Sequence, residues 1–179
     1  HKVFAGLRDA WLYTDNALAR TMLIEWADWA AGLVANLDDE QMQAMLRTEH
    51  GGMNEVFADV AEITGNPRYL VTARRFSHRS ILDPLLAEQD RLTGLHANTQ
   101  IPKVIGFERI AQQANDAGWH RAARFFWETV VNERSVAIGG NSVREHFHDK
   151  HDFTPMIQEV EGPETCNTYN MLKLTRLLY

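Results

Sequence analysis

The groups able to move protons or hold metal ions are clustered in four short segments. In "GGNSVREHFHDKHD" the Gly139-Gly140 pair marks a turn before Glu145, and His146, His148 and His151 follow. Glu145 suits a general acid/base, provided that burial or neighbouring negative charge raises its pKa, and a site lined by ring-forming helices would bury it. The bland alternative is a solvated polar loop. His146 and His148, two apart in an irregular loop, are a weak metal pair. Glu164-Thr165-Cys166 is a better half-site, since carboxylate oxygen and thiolate sulfur both bind zinc and a helix N-terminus helps to hold a thiolate anionic. Two ligands do not complete a tetrahedron, and the rest would be histidines here or residues beyond Tyr179. A lone cysteine also serves well as a small buried hydrophobe. Glu49-His50 before Gly51-Gly52, and His96 before Asn98 and Gln100, are candidates for ligand contact; helix capping and core packing are the alternatives.

Composition removes several classes of function. A net charge of −6, with basic residues dispersed among acidic ones, leaves no footprint for nucleic acid, and no apolar run approaches the ~18 residues of a membrane span. One cysteine excludes an intrachain disulfide framework. The chain opens at His1 with an amphipathic pattern and shows no signal segment, so the cytoplasm is the expected compartment. An oligomer is allowed.

Periodicity shows what must position these groups. Val3, Phe4, Leu7, Ala10 and Trp11 recur at helical spacing, and after Thr14-Asp15-Asn16 a second helical pattern runs from about Ala17 to Leu37. The same grammar returns around Gly65-Asn66-Pro67 and around Asp116-Ala117-Gly118. The breaks at Asp15, Gly65 and Asp116 lie 50 and 51 residues apart, which predicts an all-α array of helical hairpins. Hairpins packed in sequence order put their first helices, beginning near residues 2, 52, 100 and 166, in one layer. His1, His50, His96 and Cys166 then approach one mouth. The five tryptophans are assigned to packing, with Trp11 as the exception. Three hairpins and the first helix of a fourth fall short of the about six pairs that close a ring. Residues 1–179 are therefore expected to be part of an (α/α)6 barrel within a longer chain, with an exposed apolar face along Leu172 to Leu178.

The strings "HKVFAGLRDAW", "EHGGMNEVFADV", "LTGLHANTQIPKVIG", "GGNSVREHF" and "GPETCNTYNMLKLTR", in this order and spanning essentially the whole chain, resemble the β-L-arabinofuranosidase family of glycoside hydrolases. The resemblance implies an (α/α)6 barrel that releases a terminal arabinofuranosyl unit from an oligosaccharide or glycoconjugate with retention, using a zinc-bound cysteine as nucleophile. It implies that Glu145 is the acid/base and that Glu164 and Cys166 are two of the zinc ligands. The other ligands, the nucleophile among them, come in the family from a later cysteine pair that this sequence lacks, so the 179 residues alone are expected to be inactive. His50, His96 and Gln100 are expected to bind sugar hydroxyls, on repeat register and loop chemistry. The rivals are a metal-independent sugar epimerase or isomerase with His50 or His96 as acid/base, and a non-catalytic carbohydrate-binding domain.

Overall fold

The structure, a computed structural model, describes residues 1–48 and 51–179. Ten helices and no strands are found among them. Three hairpins form the frame: α1 (Lys2–Thr14) with α2 (Ala17–Val34), α4 (Met53–Thr64) with α5 (Pro67–Arg75), and α7 (Ala97–Ala114) with α8 (Ala117–Glu133). The single helix α10 (Thr165–Leu178) follows. α4 and α10 pack on either side of α7, and α1 touches α4, so the first helices of successive hairpins form a layer. The expected starts at 2, 52 and 166 are met to within one residue, while α7 begins at Ala97 and carries Pro102 inside.

One local device closes all three hairpins. Asp15, Gly65 and Asn115 end their helices in the left-handed conformation, at φ 53°, 67° and 51°. The next residue, Asn16, Asn66 or Asp116, caps the following helix by accepting from the backbone N–H of Ala19 (3.0 Å), Arg68 (3.1 Å) or Gly118 (3.1 Å). Each such cap contributes about 1 kcal/mol. In the third turn Asp116 therefore belongs to the cap, and Ala117-Gly118 already lie within α8.

The connections at the other end are longer and hold three short helices, α3 (Asp39–Leu46), α6 (Arg79–Leu86) and α9 (Thr154–Gln158). α3 opens with a reciprocal capping box in which Asp38 accepts from the Gln41 N–H and Gln41 accepts from the Asp38 N–H. Two hydrophobic clusters fill the space between helices. One is centred on Phe57, stacked between Tyr69 and Phe76, and the other joins α6, α7, α8 and α10 around Ile101, Ile105 and Phe126. Trp119 touches both. Trp26 and Trp29, by contrast, lie exposed on the outer side of α2.

The apolar face of α10 corrects an expectation. Leu174 is fully buried and Leu177 and Leu178 pack against the second cluster, because α7 and α8 together offer a groove for this helix; only Leu172, at 65% exposure, remains outside.

α4 and α7 approach so closely that the Asn54 amide donates to the Lys103 carbonyl (2.9 Å) and covers Gly106, where an added Cβ would stand 2.1 Å from Asn54. Gly106→Ala is expected to lose about 1–3 kcal/mol through overpacking, despite alanine's better helix propensity. Urea denaturation checks this, and Asn54→Ala in the same chain should return part of the loss.

Candidate active site

The starts of α1, α4, α7 and α10 surround a cleft of about 640 Å³ whose lining includes His1, Arg8, Glu55, His96, Asn98 and Tyr169. His1 and His96 thus share the mouth, as the hairpin register predicts, whereas Cys166, expected beside them, does not line it. His50 lies outside the described residues. The His1 ring rests on the Gly51-Gly52 pair, its Nδ1 accepting from the Gly52 N–H (3.2 Å); a Cβ on Gly52 would stand 2.8 Å from Nε2. Gln100 is buried behind His96, to whose carbonyl it donates (3.3 Å), and does not line the cleft.

Glu145 reaches this region on a loop tied to the start of α7. The Ala97 N–H donates to the Glu145 carbonyl (2.8 Å), Phe147 N–H to Leu95 (2.9 Å) and Gly94 N–H to Phe147 (2.8 Å). A further bond, Arg144 N–H to Glu161 (2.8 Å), fastens the loop to the segment before α10. Ser142, Arg144 and Glu145 all have positive φ, at 82°, 45° and 66°. Such backbone costs about 1–3 kcal/mol per residue, persists only where its surroundings fix it, and gathers at functional sites. The Glu145 carboxylate stands 3.6 Å from His96 Nε2 with 58% of its side chain exposed. The expected burial is not met, because the loop lies over the helix starts instead of entering between them. His146 and His148 diverge: His146 packs edge-on against His96, whereas His148 is buried against Phe153.

Glu164 stands at the N-cap position of α10 without a side-chain cap bond, and Cys166 sits two residues further, its thiol donating to Glu164 Oε2 (3.4 Å). Burial, then the Glu164 carboxylate, push the Cys166 pKa up, against the expectation that the helix N-terminus would favour the thiolate. Glu145, Glu161, Glu164 and Arg144 line a second recess of about 400 Å³. Among the described residues no three His, Cys, Asp or Glu gather closely enough to hold a metal ion. The donor chemistry of the Glu164/Cys166 pair nevertheless fits zinc as a half-site: carboxylate and sulfur already share a proton, the position a divalent cation would take.

A network of buried charges was not foreseen. Glu55, on the inward face of α4, pairs with Arg8 (3.2 Å) and Lys173, and Asp59, one turn on, pairs with Arg8 and Arg109 (2.7 Å to the latter). These pairs link α1, α4, α7 and α10, and Arg8, Glu55 and Lys173 of the network line the cleft itself. The spacing Glu55-x-x-x-Asp59, among Val56, Phe57, Ala58 and Val60, was the available signal.

Helical hairpins arrayed side by side, with carboxylates and imidazoles gathered at the starts of the inner helices, have the make-up of an α/α-barrel glycoside hydrolase. The family model described as Beta-L-arabinofuranosidase, GH127 catalytic domain, matches residues 1–179, and the chain belongs to that family. No curated protein gives a significant match. Its activity class is that of a glycosidase acting on carbohydrate. Among the described residues no helix is long and apolar enough to cross a membrane.

Proposed function

We propose that the protein releases terminal β-L-arabinofuranosyl units with retention of configuration, with Glu145 as acid/base. The placement of Glu145 carries this assignment: a strained, tethered loop sets its carboxylate beside His96 at the cleft rim, and Glu164 shares the adjoining recess. Glu145 gives its proton to the glycosidic oxygen as the nucleophile bonds to the anomeric carbon and the bond from that carbon to the oxygen breaks. As a carboxylate it then takes a proton from the water that displaces the nucleophile from that carbon, and the two displacements together retain configuration. His96 contacts a sugar hydroxyl, and Gln100 braces His96 from behind. His50 belongs to the same sugar-binding set by register. Glu164 and Cys166 would hold zinc, which when bound favours thiolate over thiol among its sulfur ligands near neutral pH. Cys166, the one cysteine of the chain, is assigned as a zinc ligand, and the nucleophile, itself a zinc-bound thiolate, is assigned on the family resemblance to a different cysteine that these 179 residues do not contain.

Proton NMR of the first sugar released by the intact protein from a β-L-arabinofuranoside tests this function. The β-anomer is expected to form first and then mutarotate. Initial release of the α-anomer would overturn retention, and isomerised sugar without bond cleavage would favour an epimerase.

A further inference from the structure

His96 and His146 face each other with ring centroids 5.4 Å apart, yet their hydrogen bonds demand opposite tautomers. His96 is the N-cap of α7, and its Nδ1 accepts from the Thr99 backbone N–H at 3.1 Å, with the Thr99 hydroxyl also at 3.0 Å. A nitrogen that accepts from an amide carries no proton, so neutral His96 is protonated on Nε2, the atom 3.6 Å from Glu145 Oε2. His146 Nδ1 lies 2.6 Å from the Arg144 carbonyl, which can only accept, so His146 is protonated on Nδ1.

We infer that Thr99, in the first turn of α7, locks His96 as the Nε2–H tautomer and thereby makes His96 a fixed hydrogen-bond donor that positions the Glu145 carboxylate. The inference rests on Glu145 being the acid/base. His96 in this form has no lone pair turned towards Glu145 and cannot serve there as a base, which removes it from the role an epimerase would require. The 3.6 Å separation exceeds a hydrogen bond, and contacts of this kind tighten when substrate is bound. The Ala97 N–H bond to the Glu145 carbonyl keeps the two side chains in register while they do so.

Two measurements on the intact protein test it. Two-bond ¹H–¹⁵N correlation spectra with ¹⁵N-labelled histidine report the tautomer directly, the His96 signals being those absent from His96→Asn. An Nε2–H pattern for His96 beside an Nδ1–H pattern for His146 is expected, and an Nδ1–H pattern for His96 would overturn the lock. The second compares His96→Asn, whose side-chain oxygen can still cap Thr99 but which has no donor at the Nε2 position, with His96→Gln, whose amide reaches that position but caps poorly. His96→Asn is expected to hold its Tm and lose roughly ten- to hundredfold in kcat on a poor leaving group, in addition to any rise in KM from the lost sugar contact. His96→Gln is expected to lose Tm and keep more of kcat. Equal kcat losses, or a loss confined to KM, would overturn the positioning role. Full activity in Glu145→Gln would instead remove the acid/base assignment, while the spectra would still decide the tautomer.

Discussion

Glu145→Gln in the intact protein is expected to lower glycosylation of substrates with poor, alkoxide-like leaving groups by about 10²–10⁴-fold. Glutamine keeps the size and the hydrogen-bonding reach of the side chain but has no proton to give. An activated aryl arabinofuranoside, whose leaving oxygen needs little protonation, should lose no more than roughly tenfold in the same step. The loop makes the comparison clean. It is held by backbone bonds from Ala97, Phe147 and Arg144, none of which involves the Glu145 side chain, so the fold should be indifferent to the change. Single-turnover rates on the two substrate types read the effect, and equal losses on both would reassign Glu145 to binding.

Cys166→Ser should remove zinc and activity together, each by roughly tenfold or more. A serine hydroxyl is a hard, poorly acidic replacement for a soft thiolate, and in the intact protein the remaining ligands would be one short of a tetrahedral set. The effect is separable from packing, because Cys166 is only partly buried and its side-chain contacts are with Glu164 and, more distantly, Asn167. If the thiol were merely a small hydrophobe, the substitution would cost about 1 kcal/mol of stability and leave metal and turnover nearly intact. Metal analysis beside activity on the same preparation decides the matter. Stoichiometric zinc in the variant would withdraw Cys166 from the ligand set.

What was legible in the sequence was what local chemistry controls. A left-handed terminator followed by an Asn or Asp cap is written in two adjacent residues, so the hairpin turns at Asp15 and Gly65 were visible without the fold, and the third was placed one residue late, at Asp116 instead of Asn115. The period between them then placed the inner helices and brought His1 and His96 to one end. α3 and α6 were hidden within segments taken as loops, although the Asp38/Gln41 capping box marks the first of them. The partners of Glu55 and Asp59 lie on other helices, and no local spacing names Arg8, Arg109 or Lys173 as those partners. Glu145 illustrates the same limit. Its residue type suggested acid/base chemistry, but its exposure and left-handed backbone follow from pairing with residues about fifty positions earlier.

The hairpins are joined tightly at one end and loosely at the other, and this asymmetry bears on how such a protein can diversify. Two residues close each turn between α1 and α2, α4 and α5, and α7 and α8, and both have set backbone or capping duties, so insertions there would unseat a helix. The longer connections differ in length and content, and among the described residues their fixed points are few: the Asp38/Gln41 capping box, the His96 cap and the tethered Glu145 loop. Descendants of this chain can therefore lengthen or rewrite the stretches between those fixed points while inheriting the opposite end unchanged, so the cleft rim can vary without redesign of the scaffold.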